Sequence, residues 1–250
     1  MEHPVPYQPR TYRALVDTER LTAFTVTVKE TDLQVQAQTD LAGPARELVL
    51  EHRGYLEAYI RRHPEFVSTL EPWPLTGPAP GIVRDMVAAG AAAGVGPMAA
   101  VAGAVAAQVG QGLLAHSAEV IVENGGDIFL KTVQAATVAV FAGASPLSLK
   151  VGVRVGGGNR PLGVCTSSGT VGPSLSFGKA DAVCVVAASC ALADAAATAI
   201  GNRIQSRRDI PRAIEFGKGI GGVAGLAIVV GDQLGVWGEV EIVPLGRKRS

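Results

Sequence analysis

Ala187-Ala-Ser-Cys-Ala-Leu-Ala-Asp-Ala-Ala-Ala-Thr-Ala-Ile200 holds one carboxylate and one hydroxyl in an alanine run. Alanine is the strongest helix former, so the run predicts a helix, here over residues 188–204. Asp194 and Thr198 stand four residues apart and therefore share a face of it. Such a pair in an apolar helix has two readings. It is a small oxygen-ligand site for a hard cation such as Mg2+, or a locally satisfied polar pair with Thr198 bonded back to a carbonyl.

Working outward, residues 181–187 read as a buried strand feeding that helix. Upstream, Leu162-Gly-Val-Cys-Thr-Ser-Ser-Gly-Thr170 passes from a short strand into a polar loop. Residues 119–123 and 127–132 read as strands joined by the tight turn Asn124-Gly125-Gly126, with residues 137–141 and 147–155 as further strands. Downstream, residues 205–212 are polar and read as exposed. Residues 224–230 form an apolar strand, and residues 236–243 are expected to close the sheet after a turn at 231–235. Near the start, residues 21–28 and 33–38 alternate and predict a hairpin turning at Lys29-Glu-Thr-Asp32, before an amphipathic helix over 42–62. Residues 82–93 and 98–116 read as two small-residue helices broken at Gly94-Val-Gly-Pro97. Residues 1–20 read as an irregular arm and 245–250 as a basic tail. Strands, helices, strands and another long helix predict an α+β fold with an antiparallel or mixed sheet, its helices on one face. Gly90-x-x-x-Gly94-x-Gly96 follows helix-like sequence and is not the dinucleotide fingerprint of a doubly wound fold.

At 250 residues the chain suits one domain, with internal duplication left open. Its 22 Lys+Arg balance 22 Asp+Glu, so it lacks the basic field of a nucleic-acid or acidic-lipid binder. Residues 86–115 carry no charge, but their Ala and Gly content, with Pro97, Gln108 and Gln111, reads as buried helices rather than a membrane span. No apolar signal region opens the chain, and Cys165, Cys184 and Cys190 form no Cys-x-x-Cys pair. Reduced thiols and a cytoplasmic location are expected. His3, His52, His63 and His116 are scattered without zinc-ligand spacing. Glycine-rich strands and a half-polar hairpin leave self-association as a homo-oligomer open.

Two further segments carry candidate chemistry. Asn124-Gly125-Gly126-Asp127 is either a backbone cradle for an anion or purine edge, or an ordinary hairpin turn capped by its aspartate. Thr166-Ser167-Ser168-Gly169 either wraps a phosphate or bonds its own backbone. Cys165 is a nucleophile candidate without a histidine near it in sequence, and Gly-x-Ser-x-Gly is absent.

Taken in order, Gly96-Pro-Met-Ala-Ala-Val-Ala-Gly103, Val122-Glu-Asn-Gly-Gly-Asp-Ile128, Gly163-Val-Cys-Thr-Ser-Ser-Gly169 and residues 185–199 resemble the ApbE-like flavin transferase superfamily. The whole chain is most similar to the uncharacterised, ApbE-related UPF0280 family. The resemblance implies a T-fold-like α+β architecture and a flavin nucleotide site lined by Asn124, Gly125, Gly126 and Asp127. Thr166, Ser167, Ser168 and Gly169 would border the same cleft, and Asp194 and Thr198 would be the side-chain Mg2+ ligands. It assigns no catalytic residue. Two features depart from the superfamily: Gly96–Gly103 lacks its lysine, and Phe177-Gly-Lys-Ala-Asp181 stands where it has His-x-x-x-Pro, with Lys179 and Asp181 as candidate substitutes. The implied function is Mg2+-assisted chemistry on a flavin nucleotide or other small phosphorylated cofactor. The alternative is a non-catalytic ligand-binding or partner-binding protein on the same scaffold.

Overall fold

The hairpin at the start forms because alternating residues can bury one face. Strands β1 (Thr22–Val28) and β2 (Thr31–Ala37) turn through Lys29 and Glu30 alone. Lys29 takes a left-handed conformation (φ 51°), the mark of a tight hairpin turn. A computed structural model describes residues 20–158, 160–170 and 177–246. The expected arm therefore lies outside the described residues apart from Arg20, and most of the tail does too.

Helix α1 (Ala42–Arg62) spans the expected range. The uncharged run becomes α2 (Gly81–Ala93), a short 3-10 turn (Pro97–Ala100) and α3 (Val101–Leu113). Gly94 ends α2 in the left-handed conformation (φ 71°), and the two halves of the run meet at 106°. Among the described residues no single helix is long and apolar enough to cross a membrane. Strands β3 (Val120–Asn124) and β4 (Asp127–Lys131) follow as a hairpin, then β5 (Ala135–Ala139), β6 (Val151–Gly156), β7 (Leu162–Ser167) and β8 (Ala182–Ala187). Helices α4 (Cys190–Gly201) and α5 (Ile210–Lys218) lead to β9 (Val223–Val230), β10 (Gln233–Gly238) and β11 (Glu241–Pro244).

Eight strands form one antiparallel sheet in the order β1-β2-β3-β4-β7-β8-β9-β10. Alternation sorts its side chains. Val120, Val122, Phe129, Cys165, Val183 and Val185 face the helices. Ile121, Ile128, Val164, Cys184 and Val186 face a second, three-stranded sheet, β11-β6-β5. The order strand pair, helices, strand pair occurs twice in the large sheet, before and after β5–β6.

Several expectations shift. The single sheet is two sheets, because β5 and β6 leave the main ladder to cover its far face. Residues 236–243 do not close one sheet: β10 is an edge of the large sheet and β11 crosses to the small one. Residues 147–150 form a turn, with Leu149 at φ 56°, so β6 begins at Val151. Helix α4 is shorter than expected at both ends, beginning at Cys190 after its cap Ser189 and ending at Gly201. The polar run 205–212 conceals a capping box at Ser206–Asp209 and the first turn of α5, whose buried face is Ile210, Ala213 and Gly217.

Candidate functional site

Helix α4 buries nine of its twelve residues, mostly as methyl groups, which lets neighbouring backbones come very close. Ser189 caps it by accepting the Leu192 N–H at 3.3 Å. Within it only Leu192, Asp194 and Thr198 reach solvent in part, and the capping Asn202 does too. Asp194, Thr198 and Asn202 follow at i, i+4 and i+8, so one polar stripe runs along a buried helix.

The first turn of α3 lies against this stripe. A Cβ at Gly103 would stand 2.5 Å from the Cys190 carbonyl and 2.9 Å from Asp194 Cβ, so only glycine allows the approach. Helix α3 has no side-chain cap of its own. Asp194 Oδ2 accepts the Gly103 N–H at 2.9 Å, and the Ala102 N–H also donates to it. The carboxylate thus satisfies orphan donors at the positive end of a helix that starts elsewhere in the chain. Asn124 Nδ2 donates to the Ala102 carbonyl at 3.0 Å, which ties the β3–β4 turn to the same place.

Asp127 faces Asn124 across the hairpin and Cys165 across the β4–β7 ladder. It is 8% exposed. Burial and the nearby Asp194 push its carboxyl well above the usual range, against the Cys165 thiol and the Thr166 N–H, which favour the anion. Burial likewise raises Asp194 to about 7, opposed by the α3 N–H groups. Among the described residues, neither carboxylate draws on a Lys or Arg side chain. Two neighbouring acids, Asp127 buried and Asp194 reaching solvent only in part, favour a proton or a bound cation beside them, and an all-oxygen donor set suits a hard divalent ion. Among the described residues no group of three or more His, Cys, Asp and Glu converges on one point. An ion here would complete its shell from the Thr198 hydroxyl, carbonyls, water and ligand oxygen.

Asn124, Asp127 and Asp194 are therefore brought together at the helix face, and Thr198 lies one turn along from Asp194. The second expected segment divides. Thr166 and Ser167 belong to strand β7 rather than to a loop. Ser167 Oγ comes near α4 at Gly201, while Thr166 turns its side chain to Cys184 on the far face. Only the N–H of Thr166 reaches Asp127. Ser168 bonds the Thr170 N–H at 3.1 Å, and the Gly169 N–H donates to the Ala180 carbonyl at 2.9 Å. That end of the segment is consumed locally, as Ser and Thr side chains commonly are in turns. Gly125 and Gly126 take positive φ, as the turn requires.

Asp181 accepts the Gly231 N–H at 2.7 Å and so holds the β9–β10 turn. Cys165 is fully buried, 3.5 Å from the Cys190 sulfur, and burial pushes its thiol up, which disfavours a nucleophilic thiolate. All three cysteines are free and buried. Gly103 and Asn202 join the site without having been singled out in the sequence. The signal for Asn202 is its spacing from Thr198; Gly103 closes the Gly96–Gly103 segment of the family resemblance, but nothing local gives its role, which depends on a helix 91 residues away. A cavity of about 800 Å3 opens on the opposite face, among Arg154, Arg160, Leu162, Val186 and Glu239, and shares no residue with this cluster.

Known proteins resemble this chain in sequence, and others resemble it in fold. A family model described as "AbpE bacteria" matches residues 13–215. A UPF0280 protein of Methanocella arvoryzae is 42% identical over 214 residues, covering 85% of this chain and 87% of that protein. One from Methanosphaerula palustris is 44% identical over 199 residues, covering 78% and 81%. Among solved structures, the flavin transferase ApbE from Vibrio cholerae superposes with a TM-score of 0.54 at 11% identity, over 87% of this chain and 96% of that one. The Pseudomonas stutzeri flavinyl transferase ApbE in its apo form gives 0.54 at 15% identity, over 87% and 94%. At such identities the likeness is one of fold.

Proposed function

The chain belongs to the UPF0280 family, whose fold is that of the ApbE flavin transferases, and on that premise we propose that it binds a flavin nucleotide or a similar phosphorylated cofactor together with Mg2+. The observation that carries the reading is the Asp194 carboxylate seated under the first turn of α3, where it accepts the Gly103 N–H at 2.9 Å, with Asp127 near enough for the two acids to repel each other. Asp194 and Thr198 would hold the metal, and the neighbouring Asp127 carboxylate would add negative charge beside it. Bound there, Mg2+ would neutralise pyrophosphate charge and act as a Lewis acid on the P–O–P bond.

The chain's own residues do the positioning. Asn124, fixed to the Ala102 carbonyl, holds the Asn124–Asp127 turn against α3. The N–H groups of Ala102 and Gly103 fix the Asp194 carboxylate. Closely packed α3 and α4 exclude water from its inner side.

Calorimetric titration of EDTA-stripped protein with FAD, with and without Mg2+, tests this. Metal-dependent binding at micromolar affinity is expected, lost in Asp194→Ala with the circular dichroism spectrum retained. Metal-dependent binding that survives in Asp194→Ala would overturn the metal role, and no binding in either condition would overturn the flavin reading.

A second reading, binding without turnover, is favoured by specific observations. Gly96–Gly103 contains no lysine, Asp181 is committed to Gly231, and Cys165 is buried as a thiol. Incubation with FAD and Mg2+ followed by mass analysis for FMN or AMP separates the two.

A further inference from the structure

Phe177 is 56% exposed, yet its backbone is held firmly. Its N–H donates to Asn202 Oδ1 at 2.9 Å, and its carbonyl accepts from Gln205 Nε2 at 2.8 Å. At the next position a Cβ on Gly178 would stand 1.9 Å from the Gly201 carbonyl oxygen, so the chain is pressed onto the end of α4. The Lys179 N–H completes the attachment by donating to the Ile204 carbonyl at 2.7 Å. The fold thus anchors the backbone of an aromatic residue that stays more than half exposed. The neighbouring guanidinium of Arg203 lies 3.4 Å over the Phe216 ring, so it is committed elsewhere.

The anchor is Asn202, the last member of the polar stripe. It lies about 6 Å along the helix axis from Thr198 and about 12 Å from Asp194, at 1.5 Å per residue. The ring of a nucleotide stands one sugar away from its phosphate, a separation of this order. We infer that Phe177 is a specificity-determining residue: its ring is the platform on which the flat heteroaromatic ring of a nucleotide stacks when the phosphates of that nucleotide lie at Asp194 and Thr198. The inference rests on the functional reading above and adds the selection of ligand. Stacking on an aromatic face tolerates many ring systems, so the site accepts flavin or purine and discriminates against phosphorylated ligands without a flat ring.

The test compares the full chain with Phe177→Ala and Phe177→Trp. Each is titrated with FAD and with inorganic pyrophosphate as a ring-free probe, both in Mg2+. Phe177→Ala is expected to weaken FAD binding about tenfold and to leave pyrophosphate affinity within about twofold, in line with loss of one stacked ring. Phe177→Trp restores FAD affinity and quenches flavin fluorescence on binding. Unchanged FAD affinity in Phe177→Ala overturns the inference while leaving the functional reading intact. Equal loss for FAD and pyrophosphate also overturns it, since a stacking platform acts on the ring alone. Wild-type protein that binds neither probe overturns both.

Discussion

Single side chains in this protein act by joining segments distant in sequence. Glu119 is 4% exposed at the entrance to β3. Arg20 donates two hydrogen bonds of 2.6 Å to its carboxylate, and the Val133 N–H adds a third at 2.8 Å. Chiefly through Arg20, its pKa lies below the ordinary 4.5. A depressed carboxylate binds fewer protons folded than unfolded, so linkage makes stability rise with pH through this range. Its stabilisation is complete above pH 4.5 and is lost as pH falls through the lower folded value. Chemical denaturation at a series of pH values should show a decline below pH 4.5 that is reduced in Glu119→Gln. At this scale the sequence is a partial guide. Asp194 stands out because an alanine run isolates it, and Asn124–Asp127 because two glycines announce a turn. Thr166 misleads because the polar string Thr-Ser-Ser reads as a loop, whereas strand alternation sends its side chain to the face opposite Asp194. No local signal links Glu119 to Arg20, 99 residues away.

Among the elements, α4 is set by contacts that only glycine permits. A Cβ at Gly163 would stand 2.3 Å from Cys190 Cα and 2.7 Å from Cys190 N, both backbone atoms that cannot swing aside. Gly163→Ala should therefore cost about 3 kcal/mol, at the upper end of overpacking penalties. Gly54, exposed within α1, has open space where a methyl group would stand, with no atom within 4 Å. Gly54→Ala should stabilise by up to about 1 kcal/mol through helix propensity. Opposite shifts in the urea midpoint would check both. Elements with strong periodicity are legible in the sequence: the first hairpin, α1, and the strand before α4. Helix α5 is hidden because Ser206, Arg207, Arg208 and Asp209 precede it as a polar run and it is only nine residues long, although Ile214 and Phe216 pack on the core beside its buried Ile210, Ala213 and Gly217.

For the molecule as a whole, the second sheet is the part that composition and pattern do not announce. Strands β5 and β6 look like members of one ladder, and only their packing on Ile121, Ile128, Val164 and Val186 reveals a separate layer. The layer is completed by β11, which pairs with β6 through Glu241–Pro244 and brings Val240 and Ile242 against the far face. A chain ending at Gly238 should bind 8-anilinonaphthalene sulfonate and melt several degrees lower, because apolar surface on both sheets would be left open. Unchanged melting and no dye binding would show that β11 is dispensable. The methyl-lined seat of α4 has a different consequence, for the site rather than stability. With alanine on its packed sides and glycine where its neighbours touch it, the helix has no room to drift as the sequence around it changes. On this frame a substitution at Asp194 or Thr198 would change what the polar stripe presents without moving the helix that carries it.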